Sequence, residues 1–388
     1  MNANSILLSD CGYVRYFNEP KYQRLHMERL ASLRDARNAV AAQLEQACRD
    51  EPFGVEAKQL QDKFWHLARR AGISGSNAAS VLGINRYKSK LQLFNELSGR
   101  VEPEPVENKY VEWGHRLEGV VADKFAEFHN VHVLEMDTFT SPIFPFMTAS
   151  VDRFITDDQG KATAVLEIKT ASFNSKVVID GEEEKLWGRG CSYIPVIDQH
   201  GKISQQCVET DSTCPEWYIA QVLHYMVASG VHEGRIAVLI GGNDYRDYVI
   251  PFSEKAAGAL IVAEDEFYCK NVLDDIAPPM NAEELRGITP VAKSKVEATA
   301  EIEEAVASIK ELDSQEKAIN SRKEELKARV MEYMGDKEAL TYGNSTLATF
   351  GEQKGRTTVD SQKLKKEEPE LFKKFSKTGA NFRVFKLK

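Results

Sequence analysis

The sequence predicts an α/β fold: a central mixed sheet flanked by helices, followed by a helical C-terminal extension. Three observations predict it. Between residues 131 and 170 apolar and polar residues alternate with the period of two expected of strands. On either side, over Tyr110–His129 and from Pro215 onward, apolar residues recur at helical spacing. From Val291 to Met334 the chain becomes charge-rich, with apolar residues near a heptad repeat. A length of 388 residues suits two or three domains. The division read here is a helical region over 1–68, an α/β domain over 69–280 closed by Pro278-Pro279, and a long helix with a small basic α/β tail over 291–388.

Residues 1–19 carry no pattern. Leu25, Leu30, Leu33, Val40 and Leu44 mark a helix from Lys21 to Arg49, and Leu60, Phe64, Trp65 and Leu67 mark a second after the Pro52–Gly54 break. Next, Arg69-Arg70-Ala71-Gly72-Ile73-Ser74-Gly75-Ser76-Asn77-Ala78-Ala79 reads as a tight turn feeding a helix, with Ser74 or Ser76 as N-cap. Free N–H groups, hydroxyls and arginines there suit a phosphate, although an ordinary capped helix fits the same residues. Ser89 starts a further helix, Lys90–Leu97, and a proline- and acid-rich connector over 100–108 leads to the helix Tyr110–His129, which carries Glu118 among apolar neighbours.

Strands are expected at Val131–Leu134, at Phe144–Met147, at Ala149–Arg153 with Asp152 in it, and at Val165–Thr170. On the last, period two places Glu167 and Lys169 on one face at the edge of a core, where charge is costly. Residues 172–214 read as an irregular surface insertion. The helix from Pro215 puts Tyr218, Gln221 and Tyr225 on one face; a stripe of this kind is mostly core, but a glutamine among aromatics invites a polar task. A hairpin, Arg235–Ile240 with Tyr245–Ile250, turns at Gly241–Asp244, and a helix over Ala256–Val272 follows.

In the last hundred residues Ile302, Val306, Ile309, Leu312, Ile319, Leu326, Val330 and Met331 mark the long helix. Strand-like residues Ala339–Phe350, a basic stretch around Lys354-Gly355-Arg356, a helix near Asp360–Phe375 and a final strand at Phe382–Phe385 complete the chain. The basic residues there suit a phosphate backbone or an acidic partner, or simply a solvated face.

The formal net charge of -9 argues against a histone-like, nonspecific nucleic-acid binder, but leaves room for a basic groove and for metal-binding carboxylates. The six cysteines are scattered without a CxxC pair or zinc-ligand spacing, so reduced thiols and a cytoplasmic location are expected. No signal peptide or membrane-length apolar run is read.

An Asp on one strand followed by Glu-x-Lys on the next is the layout of a metal-dependent nuclease. Phosphodiester hydrolysis needs a nucleophilic water, stabilisation of phosphoryl charge and help for the leaving group; two hard cations held by oxygen ligands meet all three needs. Asp152 would anchor the metals, Glu167 would bind one with the Ile168 carbonyl beside it, Glu118 is the natural third carboxylate, and Lys169 could orient or deprotonate the water and stabilise developing charge. A metal-free salt-bridge cluster on a sheet edge is the alternative for the same residues.

Taken together, Ile73-Ser74-Gly75-Ser76-Asn77-Ala78-Ala79, Trp113-Gly114-His115-Arg116-Leu117-Glu118, Ala149-Ser150-Val151-Asp152, Leu166-Glu167-Ile168-Lys169-Thr170 and Tyr218-Ile219-Ala220-Gln221-Val222 resemble, in order, the motifs of the YqaJ-type viral recombinases. These are phage exonucleases related to lambda exonuclease within the PD-(D/E)XK nuclease superfamily. The resemblance runs from Arg69 to about Gly241. It implies a restriction-endonuclease-like core and a Mg²⁺-dependent exonuclease, with two ions and Mn²⁺ as a substitute, that degrades linear duplex DNA from its 5′ end. It implies Asp152 and Glu167 as metal ligands, Lys169 as the catalytic lysine, Glu118 and Gln221 as active-site residues with Tyr218 beside them, and Arg69 and Ser76 as holders of the 5′-phosphate. It further implies a ring-shaped trimer, a single-strand annealing partner and a phage or prophage origin in a bacterial host. Two departures stand out. Ser-Val-Asp-Arg replaces a common Pro-Asp-Gly turn, and the 172–214 insertion is long. A nuclease-fold binding module with vestigial carboxylates and an endonuclease on the same core are the competing readings.

Overall fold

The computed structural model describes residues 12–385 apart from 52–53, 103–108, 174–175, 180–181, 198–202, 288–295, 344, 353–360 and 377–384. The chain divides after Pro279 into two compact units. The first contains helices α1 (Pro20–Asp50) and α2 (Val55–Arg69), strand β1 (Ile73–Ser74), and helices α3 (Gly75–Val81), α4 (Lys90–Leu97) and α5 (Lys109–His129). Strands β2 (His132–Leu134), β3 (Phe139–Thr140), β4 (Met147–Ala149), β5 (Arg153–Thr156) and β6 (Ala162–Ala171) follow. Next come β7 (Lys176–Ile179), β8 (Glu182–Lys185), β9 (Gly190–Ile197), β10 (Ile203–Asp211), α6 (Glu216–Ser229), β11 (Glu233–Ile240), β12 (Asp244–Pro251) and α7 (Glu254–Glu266), which runs into a π-helical turn, Phe267–Leu273.

The central sheet is mixed and has the order β12-β11-β6-β5-β2. β6 runs parallel to β11 and antiparallel to β5, so it lies in the middle with both neighbours hydrogen-bonded to it. Its alternation divides the core in two. Ala164, Leu166 and Ile168 pack with Val121, Ala122 and Phe125 of α5, whereas Val165 joins Val222 and Met226 of α6 in the larger cluster on the opposite face. A one-residue slip of β6 would exchange the two sets, so the apolar residues pin Glu167 and Lys169 to the α6 side. A smaller sheet, β1-β4-β3, pairs Ile73-Ser74 in parallel with Met147-Thr148.

Most expected elements form, with definite shifts. Phe144–Phe146 is a turn whose rings are buried, and the strand begins at Met147. Asp152 lies in a bend just before β5 rather than within a strand. The expected irregular insertion instead contains two antiparallel ribbons, β7–β8 and β9–β10. Residues along β9 and β10 are largely exposed or half-buried, so they lack the apolar alternation that betrays a strand with one buried face. The β9–β10 ribbon is tied down by polar groups: Tyr193 donates to Asp247 of β12, which also meets His129 Nε2 of α5 at 2.8 Å. At the β11–β12 turn, Gly241 and Gly242 adopt φ of 60° and 87°, a pair that other residues reach only with strain.

The second unit comprises α8 (Ala282–Gly287), α9 (Ala300–Met334), the hairpin β13 (Ala339–Tyr342) with β14 (Ser345–Thr349), α10 (Ser361–Glu367) and α11 (Pro369–Phe375). The single helix expected near 360–375 breaks at Glu368 because Pro369 has no N–H to continue a helix but suits a first turn. Lys354–Arg356 and Phe382–Val384 lie outside the described residues. Among the described residues, no helix is long and apolar enough to cross a membrane.

The N-terminal segment is anchored to the first unit's core. Asp265 accepts from the backbone N–H groups of Arg15, Tyr16 and Phe17 at 2.7–2.8 Å. His26, 4% exposed, meets Tyr268 Oη through Nδ1 at 2.8 Å. Burial, helped by the charge of Arg29, pushes His26 from the ordinary 6.5 down to about 4. The unfolded chain therefore takes up this proton first, and the stability it contributes is complete above pH 6.5 and declines as pH falls through about 4. Urea unfolding at pH 7.5 and pH 4.5 tests this: His26→Gln, which does not titrate, should lose roughly 2–3 kcal/mol less between the two conditions than wild type.

Candidate active site

Glu167 is the most unusual side chain in the first unit. It is a carboxylate on the middle strand, only 1% exposed, in the core rather than at its edge. Lys169 Nζ donates to its Oε1, as does Gln221 Nε2 of α6 at 2.7 Å. Oε2 is buried and has no hydrogen-bond partner. Asp152 approaches from the bend before β5, and its Oδ2 accepts the Ile168 backbone N–H at 2.7 Å. This bond ties the bend to β6 and fixes where the second carboxylate sits. Meanwhile the Ile168 side chain belongs to the opposite, α5-facing core.

Electrostatics follow from this placement. Burial, then the Asp152 charge, drives Glu167 up from 4.5 to about 8 despite the opposing pull of Lys169. Burial works against the charge on Lys169, but Glu167 and Asp152 outweigh it and hold the ammonium above its ordinary range. Lys169 thus keeps its proton beside Glu167, and a further cation beside the free oxygen would favour the ionised carboxylate. Glu118, on α5, is half-buried and pairs with Arg153 at 3.0 Å. It is near enough for its charge to be felt at Glu167. Among the described residues, no three or more Asp, Glu, His or Cys side chains gather into a ready-made metal cage.

Tyr218 covers the outer side of the lysine, with its ring 5.1 Å from Lys169 Nζ and stacked on buried Trp187 at 5.8 Å. Toward the other side, Gln221 Nε2 also donates to Tyr225 Oη at 3.0 Å, and the Tyr225 ring lies against Gly75. Gly75 opens α3, where Arg69 Nη2 reaches Ser76 Oγ at 2.8 Å and Ser74 Oγ at 3.2 Å. Ser74 occupies the N-cap, but its hydroxyl turns to this cluster instead of capping the helix. The Arg69 guanidinium rests over the Trp65 ring at 4.5 Å.

The fold therefore brings Asp152, Glu167, Lys169, Gln221 and Tyr218 together and connects them through Tyr225 to Arg69 and Ser76. Glu118 adjoins this group through its charge and through Arg153. Sequence reasoning missed two participants. Tyr225, four residues after Gln221 and so on its face, reads as core stripe until its hydroxyl is seen to be polar-partnered. Arg153, the residue that departs from the expected turn, neutralises Glu118.

Residues 64–232 match the family model of the YqaJ-like viral recombinase domain. All of the residues just described, from Trp65 to Tyr225, fall within this region. The uncharacterized protein YqaJ of Bacillus subtilis (strain 168) is 28% identical over 351 residues, spanning 88% of this chain and 98% of its own. Solved structures with similarity include the Laribacter hongkongensis alkaline exonuclease LHK-Exo, 15% identical over 55% of this chain and 98% of that one, TM-score 0.34. The SOX–DNA complex is 12% identical over 71% of this chain and 92% of that one, TM-score 0.32.

Within the matched region, Gly75 is the joint between the two clusters. A Cβ there would lie 2.3 Å from Tyr225 Cε1, so Gly75→Ala should destabilise by about 1–3 kcal/mol and displace the tyrosine. Gly119 on α5 has nothing within 4 Å of a built Cβ, so Gly119→Ala should be neutral or stabilising by up to about 1 kcal/mol. Denaturant titrations of both variants, with near-UV circular dichroism reporting the tyrosine environment, check the contrast.

Proposed function

We propose that this protein is a metal-dependent deoxyribonuclease of phage-type recombination, an exonuclease that digests linear double-stranded DNA from its 5′ ends. The observation that carries the reading is the buried, half-satisfied Glu167 carboxylate, set beside Asp152 and Lys169 in a YqaJ-like domain. The donor set fits a hard cation: Glu167 Oε2 is oriented by the bonds to Oε1 yet lacks a partner, and Asp152 is held by Ile168. Mg²⁺ retains waters, so these two carboxylates and the Ile168 carbonyl would hold it without a full protein cage, and Mn²⁺ would substitute. When bound, a pair of such cations would lower the pKa of water and neutralise phosphoryl charge.

The chain's own residues do the remaining work. Lys169 stays protonated between two carboxylates, so it serves as donor and positive charge toward the phosphoryl oxygens rather than as a base. Gln221 fixes the orientation of Glu167 by spending one amide hydrogen on it and the other on Tyr225. Glu118, steadied by Arg153, supplies further negative charge beside the ligands. Tyr218 excludes water from one side of Lys169. Arg69 and Ser76 receive the terminal 5′-phosphate, with the guanidinium already aimed by Trp65 and the two serines. Water attacks phosphorus, the P–O3′ bond breaks, and a 5′-mononucleotide leaves. The same reading assigns the protein to a bacterial host's cytoplasm, as a ring-shaped trimer that passes the exposed strand to a single-strand annealing protein.

Digestion of end-labelled linear duplex DNA tests it. Wild type should shorten 5′-phosphorylated ends faster than 5′-hydroxyl ends in Mg²⁺. Lys169→Ala and Asp152→Ala should each lower the rate by at least about 10²-fold, and Arg69→Ala should reduce the 5′-phosphate preference on the order of tenfold. Calorimetry should show Mg²⁺ binding that Asp152→Ala abolishes. Undiminished digestion by Lys169→Ala would remove the assignment; cleavage of closed circles would indicate an endonuclease, and binding without cleavage a recruitment module.

A further inference from the structure

Helix α9 spans 35 residues, five heptads, and Met334 is its one buried residue. Most of its large apolar residues form a single seam, with Val306 and Met331 outside it. Ile302, Ile309 and Val330 recur at seven-residue intervals as a positions, interrupted by Glu316 and Lys323, while Ala305, Leu312, Ile319, Leu326 and Tyr333 occupy d. Leu312 is 61% exposed, Ile319 66% and Leu326 47%. Five consecutive heptads, four of them with a large side chain at d, are a two-stranded coiled-coil pattern rather than a solvated helix, whose polar face would continue all round.

We propose that this seam is an interface with a second copy of the same chain, the two α9 helices lying antiparallel. The two charges in the seam decide both occupant and direction. In a parallel pair each a position faces its own copy, so Glu316 would meet Glu316 and Lys323 would meet Lys323, and Arg322 at g would meet Lys327 at e of the partner subunit. All three juxtapositions repel. In an antiparallel pair a layers with d, and the alignment of greatest overlap sets Glu316 against Ile319 of the partner subunit and Leu312 against Lys323 of the partner subunit. Helical side chains lean toward their own N-terminus. In antiparallel helices Glu316 and the partner's Lys323, one layer apart, therefore lean toward each other. The same geometry leans Asp313 toward the partner's Lys327. By symmetry each contact occurs twice, and the seam neutralises its own buried charges without a foreign partner. Exposed ion pairs already formed on the helix, Arg322–Glu325 at 2.8 Å and Lys327–Glu324 at 3.1 Å, lie beside the seam and leave its a and d positions open.

Charge reversal in the full-length protein tests this by sedimentation velocity, with helix content followed by circular dichroism. Ile319→Asp, which sets aspartate against Glu316 of the partner subunit, should halve the assembled mass. Glu316→Lys should weaken self-association at least tenfold, because it sets lysine against lysine across the antiparallel seam. The double variant Glu316→Lys/Lys323→Glu should restore it to within about threefold. A parallel pair would instead leave Glu316→Lys no worse than wild type, since one like-charge layer replaces another. That result overturns the proposal, as does an assembled mass that is the same in wild type and Ile319→Asp, or failure of the double variant to recover.

Discussion

The first unit is organised by one constraint: a carboxylate must be kept inside the core on the middle strand of the sheet. An isolated ionised carboxylate there would cost many kcal/mol, so it survives only with donors and counter-charges assembled around it. Lys169 and Gln221 satisfy one oxygen of Glu167. Each comes from a different source, the lysine from two residues along the same strand and the glutamine from the helix covering that face. The other oxygen is left with no partner. A fold that ties down one half of a buried carboxylate and leaves the other half open is suited to a ligand that brings positive charge.

The two faces of β6 make this possible. On the α5 side the strand is sealed by ordinary apolar packing, which contributes stability and fixes register. The α6 side can then carry polar groups without losing the strand. Helix α6 serves both ends of the site with one face: Gln221 reaches Glu167, and Tyr225 one turn later reaches the Gly75 corner. The distance between the carboxylates and the Arg69–Ser76 cluster is therefore set by a rigid helical turn rather than by a loop.

Much of this was legible in the residues. β6, α5 and α6 have strong periodicity, and the placement of Glu167 and Lys169 on one face follows from a period of two alone. The turn at Arg69–Ser76 that feeds a helix was legible from its glycines and serines, although those residues fit an ordinary capped helix as well as a phosphate site. What escaped was set by long-range partners. Tyr225 looks like any aromatic in a core stripe, and only the approach of Gln221 reveals its hydroxyl's task. The depth of Glu167 depends on β11 pairing in parallel on its far side, a contact with a residue nearly seventy positions away. The β9–β10 ribbon was read as irregular because its stabilisation is polar, through Tyr193, Asp247 and His129, and leaves no apolar alternation. Pro369 was visible, but a break in so short a helical stretch depends on which side of the proline the chain turns.

The same physics recurs in the second unit with a different solution. In β6 a glutamate and a lysine two residues apart on a strand share a face, so each neutralises the other within one chain. In α9 Glu316 and Lys323 are seven residues apart, two turns of helix and roughly 10 Å along the axis, too far for a direct pair on one helix. Both sit in the apolar seam, where charge is unfavourable unless matched. A second helix running the opposite way brings each beside its complement, and one running the same way brings each beside its like. The strand closes its charge within the chain; the helix leaves its charges to be matched between chains.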